Sequence, residues 1–301
     1  MTYYYTAFGL SISSQLQFEE LLPIEPTTTD LTITLGKTPE TLAEIKFSNI
    51  TTQANDAEYL LKVKEIANYY ILNNSQITIE LLDDSSSFLA RSYFLGPVLG
   101  ALLARRGFLT LHSSAINVNG KAVLFCGNSG AGKSTTAAYF ETLGYPLISD
   151  DICPIYQDAQ GRVFTQAGFP QMKLWQDAIK HLGITPTEKF RKLIQKNNKF
   201  VRPLSETFHQ HPTEVSKIFF LQTSRKTDLL FEKLKTDQKI IHLNHNAYLS
   251  KVLSSIKSTP KWFFTVTSIA AKTECFLVTR PSSQKSIDEN YYKPILEAIL
   301  A

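Results

Sequence analysis

Gly127-Asn128-Ser129-Gly130-Ala131-Gly132-Lys133-Ser134 is the stretch on which the reading of this chain turns. It matches GxxxxGK[ST] without a gap. Glycines in that pattern let the backbone turn tightly round phosphate oxygens with no Cβ in the way. Successive N–H groups form an anion nest, and the helix that follows presents its positive end to the phosphates. Lys133 is placed to reach the β- and γ-phosphates and the Ser134 hydroxyl to hold Mg²⁺. Gly127 through Thr135 is therefore the expected cradle for a nucleoside triphosphate. The flanks agree: residues 122–126 read as a buried strand, residues 133–143 as a helix, and Gly144 as its C-terminal cap. Leu147-Ile148-Ser149 then reads as a short strand, which completes a βαβ unit.

That strand runs into Asp150-Asp151, 17 and 18 residues after Lys133. Ligands of open α/β sheets bind at the carboxyl ends of strands. One carboxylate is expected to support Mg²⁺ and the other to accept the proton of an attacking hydroxyl. Two adjacent carboxylates resist ionising together, which predicts one raised pKa. Away from a phosphate loop the same pair would read as a solvated turn or a helix cap. His112-Ser113-Ser114 closes a strand candidate at 108–112. By chemistry alone a lone histidine at a strand end is more often structural than catalytic.

Upstream, residues up to about 85 read as mostly strands, with Leu31-Thr32-Ile33-Thr34-Leu35 and a hairpin of 67–72 and 76–82 joined by Asn73-Asn74-Ser75. Asp83-Asp84-Ser85-Ser86 supplies N-cap candidates for a helix over 86–106, which Pro97 should kink. Two domains follow: a β-rich N-terminal domain, 1–85, and a P-loop domain, 86–301. Downstream of the loop, strands are expected at 154–156, 163–166, 217–221 and 275–278. Helices are expected at 174–182 and 291–300. The stretch 185–213, polar and rich in Lys and Asn, reads as a mobile excursion.

Composition narrows the partners. The 301 residues carry 31 basic and 27 acidic side chains, a net charge of +4, and no basic stripe, which excludes a typical nucleic-acid binder. The most apolar run, 93–104, is shorter than the roughly 20 residues of a bilayer crossing, so no membrane partner is expected. The three cysteines, Cys126, Cys153 and Cys275, form no CxxC pair. With no basic-then-apolar leader at Met1-Thr2-Tyr3-Tyr4-Tyr5, they point to a reducing, cytoplasmic setting.

His112-Ser113-Ser114-Ala115, the P-loop, and Ile148-Ser149-Asp150-Asp151 together resemble the catalytic core of the HPr kinase/phosphorylase superfamily. The closer resemblance is to the HPr-kinase-related serine kinases of bacterial peptide-biosynthesis clusters, the lasso-peptide kinases among them. Ala7-Phe8-Gly9-Leu10, Leu95-Gly96-Pro97, Gly168-Phe169-Pro170 and Leu277-Val278-Thr279-Arg280-Pro281 extend it over most of the chain. The resemblance implies an α/β fold with an HPr-kinase-like core, distantly similar to phosphoenolpyruvate carboxykinase. It implies an ATP- and Mg²⁺-dependent kinase acting on a serine hydroxyl of a peptide or small protein. Asp150 would be the base, Asp151 and Ser134 the metal side, and His112 a member of the site. Residues 169–175 lack the acidic signature of the HPr kinases, which argues against HPr as acceptor. Lys173 stands where an arginine would steady the transferring phosphoryl group, with Lys199 and Arg202 as further candidates. A small-molecule kinase and a non-catalytic nucleotide-binding module remain the alternatives. A homo-oligomer is compatible with the resemblance, although no interface residue can be read from the sequence.

Overall fold

The computed structural model describes residues 1–83, 87–193, 198–204, 206–225, 228–256, 259–282 and 289–301. The chain forms two compact units, 1–108 with 248–263, and 109–247 with 264–301. The helical stretch that the sequence assigns to the second domain thus belongs to the first unit, because its apolar face is buried there: Phe94, Leu95, Val98, Leu99 and Leu102 are at most 1% exposed.

The first unit is built on a nine-stranded sheet in the order β3-β1-β2-β4-β9-β8-β7-β6-β5. Its strands are β1 (Tyr3–Ala7), β2 (Leu10–Ser14), β3 (Leu22–Pro23), β4 (Leu31–Leu35), β5 (Phe47–Ser48), β6 (Thr52–Ala54), β7 (Glu58–Val63), β8 (Ala67–Leu72) and β9 (Gln76–Leu81). The β8–β9 hairpin falls where the sequence predicts it, with Asn73 and Asn74 both left-handed at φ 51 and 55. Helices α1 (Ser87–Tyr93) and α2 (Leu99–Arg105) are joined by one π-helical turn, Phe94–Val98, that holds Pro97. The proline lacks the N–H of a regular turn, and the wider turn absorbs the misfit. Of the proposed cap residues, 84–86 lie outside the described residues. By length and composition Ser87–Arg105 is apolar enough to cross a bilayer, but 67% of that window is buried in the fold, as in a core helix. Arg91 and Glu20 pair at 3.0 Å with side chains 8% and 9% exposed. Helix α6 (Ser250–Ser255) closes over Ala104 through Leu253.

The second unit holds residues 127–134, the expected phosphate loop. Its main sheet runs β10 (Leu109–Leu111), β14 (Cys153–Gln157), β15 (Val163–Thr165), β19 (Thr213–Ser224), β12 (Lys121–Cys126), β11 (Ser113–Val118), β13 (Leu147–Ser149). β21 (Glu274–Pro281) lies parallel to β19, and β20 (Leu230–Lys233) antiparallel to β21. The hairpin of β11 and β12 turns on Asn119 and Gly120, at φ 50 and 81. Helix α3 (Lys133–Thr142) links β12 to β13. Both strands run antiparallel to β11 between them, so they are parallel to each other, as a βαβ unit requires. The core forms where Phe125 stacks on Phe140 at 5.6 Å and on Phe219 at 5.8 Å, and Tyr139 stacks on Tyr292 of α8 (Glu289–Leu300) at 3.8 Å.

A small third sheet, β16 (Gln171–Trp175), β18 (Lys199–Pro203), β17 (Arg191–Lys192), differs from expectation twice. Leu174 and Trp175 are strand, and the helix α4 starts only at Gln176 and ends at His181. The period is two: Met172 and Leu174 are 0% and 1% exposed while Trp175 is 43% exposed. The polar excursion supplies the partner strands, since β18 pairs with β16 along its whole length. Arg202, expected at the phosphates, turns instead to the far face and grips Glu141 of α3 at 2.6 and 3.3 Å. Thr207 donates to the same carboxylate at 2.8 Å. Those side chains are 18% and 4% exposed, so an unpaired Glu141 would be a buried charge. Arg202→Ala is expected to lower stability by about 3 kcal/mol. Urea melts of the two proteins check this; an unchanged midpoint would free Arg202 for a role at the site.

Candidate active site

The loop adopts its shape because of where its glycines stand. A Cβ on Gly127 would lie 2.4 Å from the Leu221 carbonyl oxygen, so only glycine lets β12 leave the sheet this close to β19. Gly132 caps α3 at φ 106, a left-handed value that aims the first turn of the helix at the loop. Lys133 folds back over the loop and donates to the Asn128 carbonyl at 3.1 Å. Burial pushes its ammonium below its ordinary value, against the opposing pull of Asp151 and Asp150.

Asp150 follows β13 directly and acts as a junction. Its Oδ1 accepts the hydroxyls of Ser114 at 2.6 Å and Ser134 at 2.8 Å, and its Oδ2 accepts the backbone N–H of Lys173 at 2.8 Å. Asp151 points another way because its backbone is left-handed, at φ 76. Its Oδ2 meets Lys173 Nζ at 2.9 Å and its Oδ1 meets His112 Nε2 at 3.2 Å. His112 is fixed in turn at the bend after β10, where its N–H donates to the Asn246 carbonyl at 2.9 Å.

The expected raised carboxylate is not found at Asp151. Burial alone would raise it, but the Lys173 ammonium and the His112 ring outweigh burial and hold it well below the usual carboxylate range. The reciprocal holds for Lys173, where Asp151 and Asp150 outweigh a lowering by burial and raise the ammonium. Beside them Cys126 and Cys153 are buried thiols. Burial pushes Cys126 far up and Cys153 to about 12, so neither is a nucleophile here.

The fold therefore brings together Lys133, Ser134, Asp150, Asp151, His112 and Lys173. Lys199 of β18 lies near enough to bear on the Lys133 charge and sits 5.9 Å over the Trp175 ring. Arg202 is not with them. Ser114 was missed as a site residue, although the cue was present: two consecutive serines open a buried strand, and both are 0% exposed. A polar group so placed must have a partner inside.

Among the described residues no group of three or more His, Cys, Asp or Glu is arranged to hold a metal unaided. Mg²⁺ does not need one, since it binds through one or two protein oxygens together with substrate phosphates and water. Ser134 Oγ and Asp150 Oδ1, 2.8 Å apart, are hard oxygen donors that fit it. The loop, the helix start and both carboxylates thus stand together at the carboxyl edge of an α/β sheet.

No protein-family model matches the chain. Partial similarity joins it to curated HPr kinase/phosphorylases. That of Levilactobacillus brevis is 32% identical over 119 residues, which cover 40% of this chain and 33% of the relative. That of Caldicellulosiruptor bescii is 30% identical over 135 residues, 45% of this chain and 39% of the relative. That of Lactobacillus acidophilus is 33% identical over 127 residues, 42% of this chain and 35% of the relative. The matched stretch thus spans well under half the length of these relatives. Among solved structures, the HPr(Ser) kinase/phosphatase from Coxiella burnetii aligns at 12% identity and a TM-score of 0.32, over 64% of this chain and 93% of that one. A likeness at that level carries no structural argument.

The Asp151 pairing predicts an acid limb. A carboxyl held below its unfolded value of about 3.9 adds stability that is fully present above that pH and lost as pH falls toward the folded pKa. Asp151→Asn should flatten this limb between about pH 5 and pH 2, and should cost about 1–3 kcal/mol at pH 7 by leaving Lys173 without its anion. Thermal melts across that range check both; an acid limb identical in the two proteins would show that the pair does not carry it.

Proposed function

We propose that this protein is an ATP- and Mg²⁺-dependent kinase that transfers the γ-phosphoryl group to a serine hydroxyl of a peptide or small protein. The observation that carries the reading is the separation of two neighbouring carboxylates into different surroundings, one beside the P-loop serine and one beside a histidine and a lysine. Phosphoryl transfer is mostly positioning and charge stabilisation, and it needs a phosphate cradle, a metal site and an oriented acceptor. The partial similarity to HPr kinase/phosphorylases supports the same class.

The geometry favours exchanging the two aspartate roles that the sequence reading assigned. Asp150, hydrogen-bonded to Ser134, is the metal-side carboxylate. Asp151, with His112, is the group that orients the acceptor hydroxyl and takes its proton. Mg²⁺ supplies charge neutralisation at the phosphate oxygens. The backbone N–H groups of 127–134 and Lys133 bind those phosphates, while Lys173 holds Asp151 in place. A carboxylate well below its usual range is a weak base, so it serves by orienting the hydroxyl and receiving the proton as the bond to phosphorus forms. We place the enzyme in the cytoplasm, since its buried cysteines are unpaired.

The test is mass spectrometry of serine peptides incubated with the protein, Mg²⁺ and ATP. A peptide gaining one phosphate, with the gain lost in Lys133→Ala, supports the kinase. Steady ADP release with small hydroxyl compounds alone would move the acceptor to a small molecule. Asp151→Asn should cut transfer about 100-fold or more with nucleotide binding intact, whereas Asp150→Asn should raise the Mg²⁺ concentration needed. The opposite pattern would restore the original assignment.

A further inference from the structure

The three-stranded sheet has two unlike faces. Directly opposed residues of an antiparallel pair share a face. Leu174 opposes Phe200 and Met172 opposes Arg202, and this face packs on the core and on Glu141. On the other face Lys173 opposes Val201, Trp175 opposes Lys199, and Arg191 opposes Val201 from the far side. That face begins at the site, because its Lys173 ammonium lies 2.9 Å from Asp151. It ends at Trp175, an indole 43% exposed with the Lys199 ammonium 5.9 Å above it.

Trp175 does not stand alone on this face: the Lys199 ammonium lies over its ring, and the strand runs back to the Lys173–Asp151 pair. A cation over an indole face is a polar and apolar pair in one place. No residue on this face of the three strands is acidic, although three are basic. The nucleotide phosphates are provided for by the loop and α3. A second cationic strip leading from the proton-accepting carboxylate therefore fits the other substrate.

We infer that the face of β16 and β18 bearing Trp175 and Lys199 is the acceptor platform, and that it selects serine peptides carrying acidic side chains beside the serine. The inference rests on the kinase reading above and specifies its substrate class. Trp175 supplies a flat apolar surface for the peptide, and Lys199 pairs with a carboxylate flanking the serine. Lys173 is committed to Asp151 and only adds to the local positive potential. The chemistry of transfer is unchanged: the serine oxygen bonds to the γ-phosphorus, the bond to the ADP oxygen breaks, and the serine proton passes to Asp151.

The experiment uses the full chain and a set of C-terminally amidated serine peptides with Asp, Leu, Gln or Lys on either side of the serine. Asp peptides should be phosphorylated with the lowest KM, and the preference should weaken in high salt. Trp175→Ala and Lys199→Ala should each raise that KM about tenfold, with the ADP Kd within twofold of the parent. Trp175→Phe should keep most of the affinity, and Lys199→Glu should turn the preference toward Lys peptides. Phosphorylation without charge preference, or a Lys199→Ala effect on ADP rather than on peptide, overturns the platform and leaves the kinase standing. No phosphorylated peptide anywhere in the set overturns both.

Discussion

Four separate parts of the second unit meet at one carboxylate. Asp150 comes from the turn directly after β13, Ser114 from β11, Ser134 from α3, and the N–H of Lys173 from β16. A carboxylate at 6% exposure is costly without donors, and here three are aimed at it. The same bonds fix where α3 begins relative to the sheet, hence where the loop sits, and fix β16 against the site. Lys133, Lys173 and Asp151 are positioned from that contact, by the start of α3, by β16 and by being the next residue, while His112 is held separately through the Asn246 carbonyl.

The chain uses two local devices to separate groups that are neighbours in sequence. Between Asp150 and Asp151 it is one left-handed residue, at φ 76, that sends adjacent carboxylates to different partners. Aspartate tolerates that region better than most side chains, and the modest strain is offset by the pairs made with Lys173 and His112. In the third sheet it is the pleat of β18, which sends Lys199 to the site face and Arg202 to the core face. Both are cations in a polar stretch, so sequence alone treats them alike; the strand separates them into one charge over the Trp175 ring and one ion pair with Glu141.

Much of this was legible beforehand. The loop, α3, the hairpin of β11 and β12 and the short strand before Asp150 follow from glycine placement and apolar runs, which are local signals. The β8–β9 hairpin follows from Asn73-Asn74 for the same reason. What escaped was non-local. Gln171–Trp175 is too short to distinguish strand from helix until its partner is known, and that partner begins at Lys199, inside the segment read as a mobile excursion. The boundary between the units was missed because a helix rich in Leu and Ala looks the same whichever core receives it. The hydrogen bonding of Asp150 includes Ser114, which is 36 residues away in sequence, and no spacing rule ties the two together.

Charge balance gives the arrangement its logic. A triphosphate approaching two bare carboxylates would be repelled at the point where it must bind. The site removes that obstacle unequally. Asp151 is neutralised in place by Lys173, whose own charge Asp151 and Asp150 stabilise, so the pair presents little net charge to an incoming phosphate. Asp150 is left with neutral donors only: two hydroxyls and a backbone N–H. Its negative charge is thus screened by hydrogen bonds but not cancelled, which is the setting that the proposed metal-side role requires. Lys133 is lowered by burial against the pull of both aspartates, and among the described residues it makes no ion pair, only a bond to the Asn128 carbonyl, so no partner has to be displaced when an anion enters the loop. Among the described residues one carboxylate and one lysine are ion-paired and the adjacent carboxylate and the loop lysine are not, which is the division that the proposed reading uses for proton acceptance and metal support.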